Sequence, residues 1–98
     1  MRIISFKALR EFFIKVPDSR VALQDWHKTT KRAEWKSSSD VLKTFGSAEN
    51  IGNKRYVFNV KGNHYRIVAL IKFKLRTVFI RWVGHHKDYD RLDDIQNL

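Results

Sequence analysis

The feature that most constrains the fold is a change in hydrophobic period near Lys54. Before this residue, apolar side chains recur every three or four positions, and after it they alternate with polar ones. A spacing of three to four buries one face of a helix, whereas a spacing of two buries one face of a strand. Helices followed by consecutive strands are typical of an α+β protein. The sequence therefore predicts α+β architecture, with helices packed on one face of a small antiparallel sheet.

The N-terminal half predicts a helical hairpin preceded by a short strand over residues 2–5. The first helix begins after Ser5, ends at Pro17, and buries Phe6, Leu9, Phe13 and Val16. The second helix is capped by Asp18 or Ser19 and buries Leu23, Trp26, Thr30 and Ala33. Trp26 and Trp35 are predicted to be packing residues. One further helical turn closes at Gly46, and residues 47–54 are predicted to be a loop.

Register in the strand region decides which side chains share a face of the sheet. A two-residue turn at Gly62-Asn63, with glycine first, pairs Asn59 with Arg66. One face, predicted to meet the helices, carries Tyr56, Phe58, Val60, Tyr65, Ile67 and Ala69. The opposite face is predicted to carry Arg55, Asn59, Lys61, His64 and Arg66.

A second turn at residues 74–75 leads into a third strand, predicted from Thr77 to Val83. This register puts Trp82 on the helix-facing side with Val78 and Ile80. It also places Arg81 opposite Val68 and diagonal to Arg66, within reach across a strand pair. A short closing helix is predicted around residues 88–95. With 98 residues, the chain is expected to form one domain, 1–98.

Charge is the strongest global signal, because 20 Lys and Arg side chains face only 10 Asp and Glu, a net charge of +10. Such an excess on a small domain predicts a polyanion partner, most often nucleic acid or the ribosome. Plain solubility or contact with an acidic protein are the alternatives. The chain has no cysteine and no apolar run near the ~20 residues that span a bilayer, so a cytoplasmic, soluble protein without membrane contact is expected.

The segment Gly84–Asp90 gathers two histidines, a lysine, a tyrosine and two aspartates. RNA cleavage needs only groups that move protons and cations over the phosphate, because the substrate's 2′-hydroxyl is the nucleophile. His86, Tyr89 and an Arg66/Arg81 pair suit these roles. The alternatives are that the histidines only form structural hydrogen bonds, and that the arginines pair with Asp88 or Asp90. Adjacent histidines on a strand cannot face one ion, so no metal and no cofactor is expected.

Several motifs together resemble the HigB branch of the RelE/ParE toxin superfamily. The motifs are Met1–Ser5, Lys31–Trp35, Val57–Val60, Gly62–Arg66 and Ile80–Asp90. The resemblance implies a RelE-like fold and a metal-independent endoribonuclease that cuts translated mRNA in the ribosomal A site. It further implies a helix-turn-helix antitoxin of the HigA type, with operator DNA bound only through the toxin–antitoxin complex.

Carried over residue by residue, the resemblance gives Arg66, Arg81, His86, Tyr89 and Asp90 the family's motif positions. His85 stands where threonine is usual, so it competes with His86 for the proton-transfer role, and His64 replaces a lysine or arginine. The predicted catalytic set is His86, Arg66, Arg81, Tyr89 and His85. The predicted RNA- or ribosome-binding set is Lys54, Arg55, Asn59, Lys61, His64, Lys31, Arg32 and Lys36.

Two other functions remain open from the sequence. A ParE-like inhibitor of a protein such as gyrase would keep the fold but would not need His86 and Tyr89. A passive RNA-binding protein would need aromatic side chains on the sheet face away from the helices, whereas Tyr56, Phe58 and Tyr65 are predicted on the helix side.

Overall fold

A computed structural model describes residues 1–98 and shows helices on one face of a five-stranded sheet, which confirms the predicted α+β class. In chain order the elements are β1 (Arg2–Ile4), α1 (Phe6–Lys15), α2 (Arg20–Arg32), α3 (Ser38–Thr44), β2 (Glu49–Gly52), β3 (Arg55–Val60), β4 (Tyr65–Lys72), β5 (Thr77–His85) and α4 (His86–Tyr89). The strand order is β1-β5-β4-β3-β2, and β1 runs parallel to β5 while the other pairs are antiparallel. None of the helices has the length and apolar character needed to cross a membrane.

The helical hairpin forms where the apolar spacing predicts it. Leu9 and Leu23 are fully buried between α1, α2 and the sheet. Pro17 begins a 3₁₀ turn between the helices, and the buried Ser19 hydroxyl donates a hydrogen bond of 2.7 Å to the carbonyl of Val16. This bond satisfies a polar group that would otherwise be costly to bury.

An aromatic cluster joins the helices to the sheet. Trp26 and Trp35 are each 3% exposed, which confirms that they are packing residues. Phe58 lies between them, with ring centroids 5.2 Å from Trp26 and 6.3 Å from Trp35, and Phe45 completes the cluster. Edge-to-face and offset contacts of this kind stabilise a core beyond the area they bury.

The predicted loop at residues 47–54 is wrong in part, because Glu49–Gly52 forms β2 and pairs with β3. Asn53 and Lys54 make the connecting turn, and both have positive φ angles of 50° and 64°. Such backbone angles suit a two-residue hairpin. β2 is a short and largely exposed edge strand. It therefore carries no alternating apolar pattern by which the sequence would reveal it.

The predicted register of the next hairpin is confirmed, because Phe58 pairs with Ile67 and Asn59 with Arg66. Gly62 has a φ of +64°, and the His64 N–H donates to the Lys61 carbonyl at 3.2 Å. The residues predicted to meet the helices are all buried in the core: Tyr56, Phe58, Val60, Tyr65, Ile67 and Ala69.

A β-bulge at Arg81 changes the register of β5 and corrects the prediction for its second half. Ala69 pairs with Ile80 as predicted, but Val68 pairs with Trp82 instead of Arg81. Because one extra residue moves every later side chain to the other face, Val83 packs on the core and Trp82 does not. The placement of Trp82 on the helix-facing side was therefore wrong. The face away from the helices, here called the open face, carries Asn59, Arg66, Val68, Phe79 and Trp82.

The C-terminal residues form α4 and a separate 3₁₀ turn (Ile95–Asn97) instead of one closing helix. The segment after α4 returns to the β2–β3 hairpin. Arg55 donates two hydrogen bonds to the backbone oxygen of Leu98, at 3.2 and 2.7 Å, and Asn53 donates to Gln96. This segment therefore borders the end of the sheet at which β3 begins.

Candidate active site on the open face of the sheet

Arg66 is held on the open face by two neighbours from different elements. Its Nε donates a hydrogen bond of 3.0 Å to Oδ1 of Asn59, its cross-strand partner. Its guanidinium carbon lies 4.7 Å from the centroid of the Tyr89 ring. Because Asn59 uses only Nε, the two terminal NH₂ groups have no protein partner. A fixed guanidinium with free terminal donors matches the oxygens of a phosphate group.

Tyr89 is the last residue of α4 and lies between Arg66 and Trp82. Its ring centroid is 6.1 Å from that of Trp82. Burial raises the pKa of the Tyr89 phenol, and the negative charges of Glu49 and Asp90 raise it further, while Arg66 acts in the opposite direction. The phenol is therefore protonated at neutral pH and can donate a proton.

Trp82 is the supporting residue that sequence reasoning missed. It reaches the open face only because of the bulge at Arg81, and its indole lies over Gly84. A Cβ atom built on Gly84 would overlap the indole ring of Trp82. The glycine at this strand position was a signal of close approach, because a strand glycine often marks a place where another group needs the space.

His86 begins α4 beside this cluster. Its backbone N–H donates to the carbonyl of His64 at 3.0 Å, which ties α4 to the start of β4. Its ring Nδ1 lies 3.5 Å from Oδ2 of Asp90, and its side chain is 37% exposed. A carboxylate at Nδ1 orients the imidazole and leaves Nε2 available to a substrate. His86 and Tyr89, three residues apart in α4, share one side of that helical turn.

His85 has a different environment from His86. It pairs with Tyr65, and its ring centroid lies 5.3 Å from Tyr65 and 5.6 Å from Phe12 of α1. His85 is therefore turned towards the helices, while Arg66 and Tyr89 lie on the open face. His85 and His86 meet only at the border of a shallow groove of about 410 Å³ beside the Gly62-Asn63 turn. The structure separates two histidines that the sequence left as competitors.

Arg81 lies on the open face but not opposite Val68. Its guanidinium carbon is 5.7 Å from the ring centroid of Phe79, and the Lys72 ammonium lies 5.9 Å from the same centroid. Neither Arg81 nor Arg66 forms a salt bridge, so the alternative in which they pair with Asp88 or Asp90 is wrong. Asp90 lies against His86 instead. Both guanidiniums are thus available to an anion.

Two residues predicted on the open face lie at the tip of the hairpin. Lys61 has a left-handed backbone (φ +54°), and its ammonium forms a 2.5 Å salt bridge with Asp18 on the helix side. Its hydrogen bond, together with one from the Tyr65 hydroxyl, lowers the pKa of Asp18. The His64 Nδ1 lies 2.8 Å from the Lys61 carbonyl oxygen. Their placement on the open face was wrong, because Lys61 leaves the extended conformation that register alternation assumes.

The other predicted RNA-binding residues are dispersed. Asn59 belongs to the site through its bond to Arg66, whereas Arg55 is engaged by Leu98. Lys31 and Arg32 are exposed at the end of α2. Lys36 and Lys54 border a groove at the other end of the sheet. No three His, Asp or Glu side chains lie close enough together to bind one metal ion.

Comparison with known proteins shows the family to which the chain belongs. A family model described as HigB_toxin, RelE-like toxic component of a toxin–antitoxin system, matches residues 19–92. The chain is 35% identical over 92 residues to the mRNA interferase toxin HigB of Escherichia coli strain K12, covering 92% of this chain and 88% of that protein. It has the same identity and coverage to an mRNA interferase HigB of Shigella flexneri. It is 30% identical over 94 residues to an mRNA interferase HigB of Escherichia coli O6:H1, covering 94% and 91%. The chain therefore belongs to the HigB toxin family, the RelE-like toxic components of toxin–antitoxin systems.

Proposed function

We propose that this protein is an endoribonuclease toxin that cleaves mRNA during translation. The observation that carries the proposal is the cluster on the open face, where Arg66 is fixed by Asn59 and Tyr89 while the half-buried His86 lies in the same helical turn as Tyr89. The relatives, which are called mRNA interferases, support the same substrate class. The net charge of +10 suits a polyanionic partner.

The chemistry that fits this cluster is an internal phosphoryl transfer. His86 Nε2 accepts the proton of the 2′-hydroxyl while its Nδ1 faces Asp90. The 2′-oxygen attacks phosphorus, the bond to the 5′-oxygen breaks, and Tyr89 donates the proton that the departing oxygen needs. Arg66 and Arg81 stabilise the negative charge that develops on the phosphate. The products are a 2′,3′-cyclic phosphate and a 5′-hydroxyl, and no metal ion or cofactor takes part. His85 supports α4 through its contacts with Phe12 and Tyr65.

The partners follow from the family and from the charge. A toxin of this family has an antitoxin, and we assign this role to a helix-turn-helix protein of the HigA type. Operator DNA is contacted only through the toxin–antitoxin complex. The ribosomal A site presents the mRNA in the cytoplasm, and the residues that would contact RNA there are Lys31, Arg32, Lys36, Lys54, Asn59, His64, Arg55 and Lys61. The last two must release Leu98 and Asp18 to do so.

The test is induction of the protein in growing bacteria, followed by mapping of new 5′ ends in translated messages. Wild type should arrest growth and cut mRNA, and His86→Ala should do neither while folding normally. His27→Gln is a matched control, because His27 packs on Phe6 in the helical hairpin, away from the open face. Growth arrest with intact mRNA and altered DNA supercoiling would instead establish inhibition of gyrase.

Passive RNA binding is a weaker alternative, although aromatic side chains do lie on the face away from the helices. The open face carries aromatic rings after all, namely Phe79, Trp82 and Tyr89. Trp82 and Tyr89 pack against one another, and Phe79 lies under Arg81 and Lys72. RNA that is bound but never cut by the wild-type protein on translating ribosomes would favour this alternative.

A further inference from the structure

A second concave surface lies at the end of the sheet opposite the candidate active site. It is a groove of about 810 Å³ where β4 ends and β3 begins. Arg66 and Lys72 are six residues apart on β4, which corresponds to roughly 20 Å along a strand. Tyr56 and Ile71, which line the groove, belong to the helix-facing side of the sheet, whereas Arg66 points to the open face. The groove is therefore separate from Arg66 and Tyr89, whereas Arg81 contacts the same Phe79 ring as Lys72 at the edge of the groove.

Four lysines surround this groove and no carboxylate lines it. They are Lys36, Lys54, Lys72 and Lys74, which come from three different connections and the end of β4. The Lys72 ammonium also lies 5.9 Å from the ring centroid of Phe79. None of them forms a salt bridge within the chain, whose only lysine salt bridges involve Lys7 and Lys61. Several cations around one groove, without internal partners, raise the local potential and favour an anionic ligand.

The same groove has an apolar wall. Leu75 is 62% exposed, one of the few large hydrophobic side chains to be so. Phe73 stands next to it, edge-on to Tyr56 with ring centroids 6.2 Å apart. A partner residue with an apolar side chain would cover Leu75 and Phe73 and remove their surface from water.

The polar groups of the groove distinguish an acidic peptide from RNA. The Asn53 amide already donates to Gln96 and Asn97, and the Asn50 amide lies near the Tyr56 and Ser38 hydroxyls, so the NH₂ group of each is already engaged. The most exposed apolar side chain of the groove is the aliphatic Leu75, which offers no ring for base stacking, and the Phe73 ring is partly buried edge-on to Tyr56. All four cations are lysines, without the planar arginine fork that suits phosphate.

We propose that this groove binds an acidic peptide segment of a protein partner, with one apolar side chain against Leu75 and Phe73 and carboxylates against the four lysines. This proposal rests on the proposed function in one respect, because Lys36 and Lys54 belong both to the groove and to the residues assigned to RNA contact. A partner protein is independently expected for a member of a toxin–antitoxin family.

The test measures binding of fluorescein-labelled probes by anisotropy. The first probe is a peptide of alternating aspartate and glutamate around a central Leu-Phe pair, the second is the same peptide with Ser-Ser at the centre, and the third is single-stranded oligouridylate. Lys74→Glu should weaken the first peptide about tenfold, and Leu75→Ser about fivefold, because each removes one type of contact. The Ser-Ser peptide should bind wild type about as weakly as the Leu-Phe peptide binds Leu75→Ser.

Matched controls separate a defined site from general attraction to a basic protein. Lys15→Glu reverses a charge on α1, and Val21→Ser removes an apolar side chain that is 70% exposed on α2. Both should leave peptide affinity within about twofold. Equal weakening by Lys15→Glu and Lys74→Glu would overturn the proposal in favour of non-specific attraction.

RNA is the competing occupant, and its outcome is distinct. If Lys74→Glu weakened oligouridylate but not the peptide, or abolished mRNA cleavage in cells, the groove would serve RNA and the proposal would be wrong. Peptide binding is measured without any cleavage reaction. If the protein proved not to be a nuclease, the peptide measurements would still test the groove. If the peptide did not bind, the comparison of wild type with His86→Ala would still test the nuclease function.

Discussion

The guanidinium carbon of Arg66 lies 4.7 Å from the centroid of the Tyr89 ring, although one residue is near the start of β4 and the other ends α4. Asn59 fixes the same guanidinium from β3. The Arg66 side chain, which extends from β4, is therefore held by β3 and by α4. Its contact with Tyr89 links the register of the sheet to the orientation of α4.

Replacing Arg66 with lysine should separate charge from shape. The ammonium keeps the positive charge but loses both the bond geometry to Asn59 and the planar fork. We expect mRNA cleavage to fall by about two orders of magnitude, similar to the loss of one preorganised charge-stabilising donor. Single-turnover cleavage on programmed ribosomes measures this, with circular dichroism as the control for folding. Wild-type rates in Arg66→Lys would show that charge alone suffices.

Replacing Tyr89 with phenylalanine should test the proton-donor role without disturbing packing. The ring, and hence the contacts with Arg66 and Trp82, remains, while the hydroxyl is lost. We expect cleavage to fall about 10²- to 10⁴-fold, the range for loss of a general acid. The rescue substrate is an RNA whose 5′-oxygen is replaced by sulfur, a leaving group that needs no proton. Equal losses on the oxygen and sulfur substrates would assign Tyr89 to positioning only.

The predictable and unpredictable parts of the fold differ in physical cause. Helix spacing and the Gly62-Asn63 turn are local signals, and they correctly predict α1, α2 and the Asn59–Arg66 pair. The bulge at Arg81 depends on how β5 packs against β4 and on the helices, so alternation alone places Trp82 on the wrong face. β2 was missed because an exposed edge strand needs no apolar pattern.

The candidate site shows the same division. The sequence makes Arg66 and Tyr89 candidates, but it does not show why they meet, because the support from Trp82 follows from the bulge. Lys61 was misplaced because its left-handed backbone redirects its side chain to Asp18. His85 and His86 are chemically identical in the sequence, and only the start of α4 between them gives them different surroundings.

Gly84→Ala should disturb the site through Trp82. The new methyl group would overlap the indole, so the ring must move away from Gly84, which changes its packing against Tyr89. We expect a loss of about 1–3 kcal/mol in the free energy of unfolding, typical of overpacking, and reduced cleavage. Urea denaturation and tryptophan fluorescence measure these effects. In a Trp82→Ala background the overlap is absent, so adding Gly84→Ala should cost much less than it does in wild type. An equal cost in both backgrounds would mean that strain in the strand itself is responsible.

Ribosome binding should depend steeply on salt, because the contacts are between basic side chains and phosphates. Arg81→Ala removes an exposed cation that has no hydrogen-bond partner in the chain, so the fold should be unaffected. We expect weaker binding. The slope of log affinity against log salt concentration, which is negative, should become shallower by about one. Sedimentation with ribosomes at several salt concentrations measures the slope. An unchanged slope would remove Arg81 from the phosphate contacts.

His27 should make stability depend on mildly acidic pH. Burial against Phe6, whose ring centroid is 4.6 Å away, lowers the pKa of His27, and the charge of Lys31 lowers it further. Because the unfolded chain binds a proton near pH 6.5 while the folded chain resists it, this contribution is fully present above pH 6.5 and is lost as the pH falls through the window below it. His27→Gln has no such titration. The wild-type Tm should therefore fall more than that of His27→Gln between pH 7.5 and pH 5, as measured by calorimetry. Parallel curves over this range would mean that His27 is protonated equally well in the folded and unfolded chains.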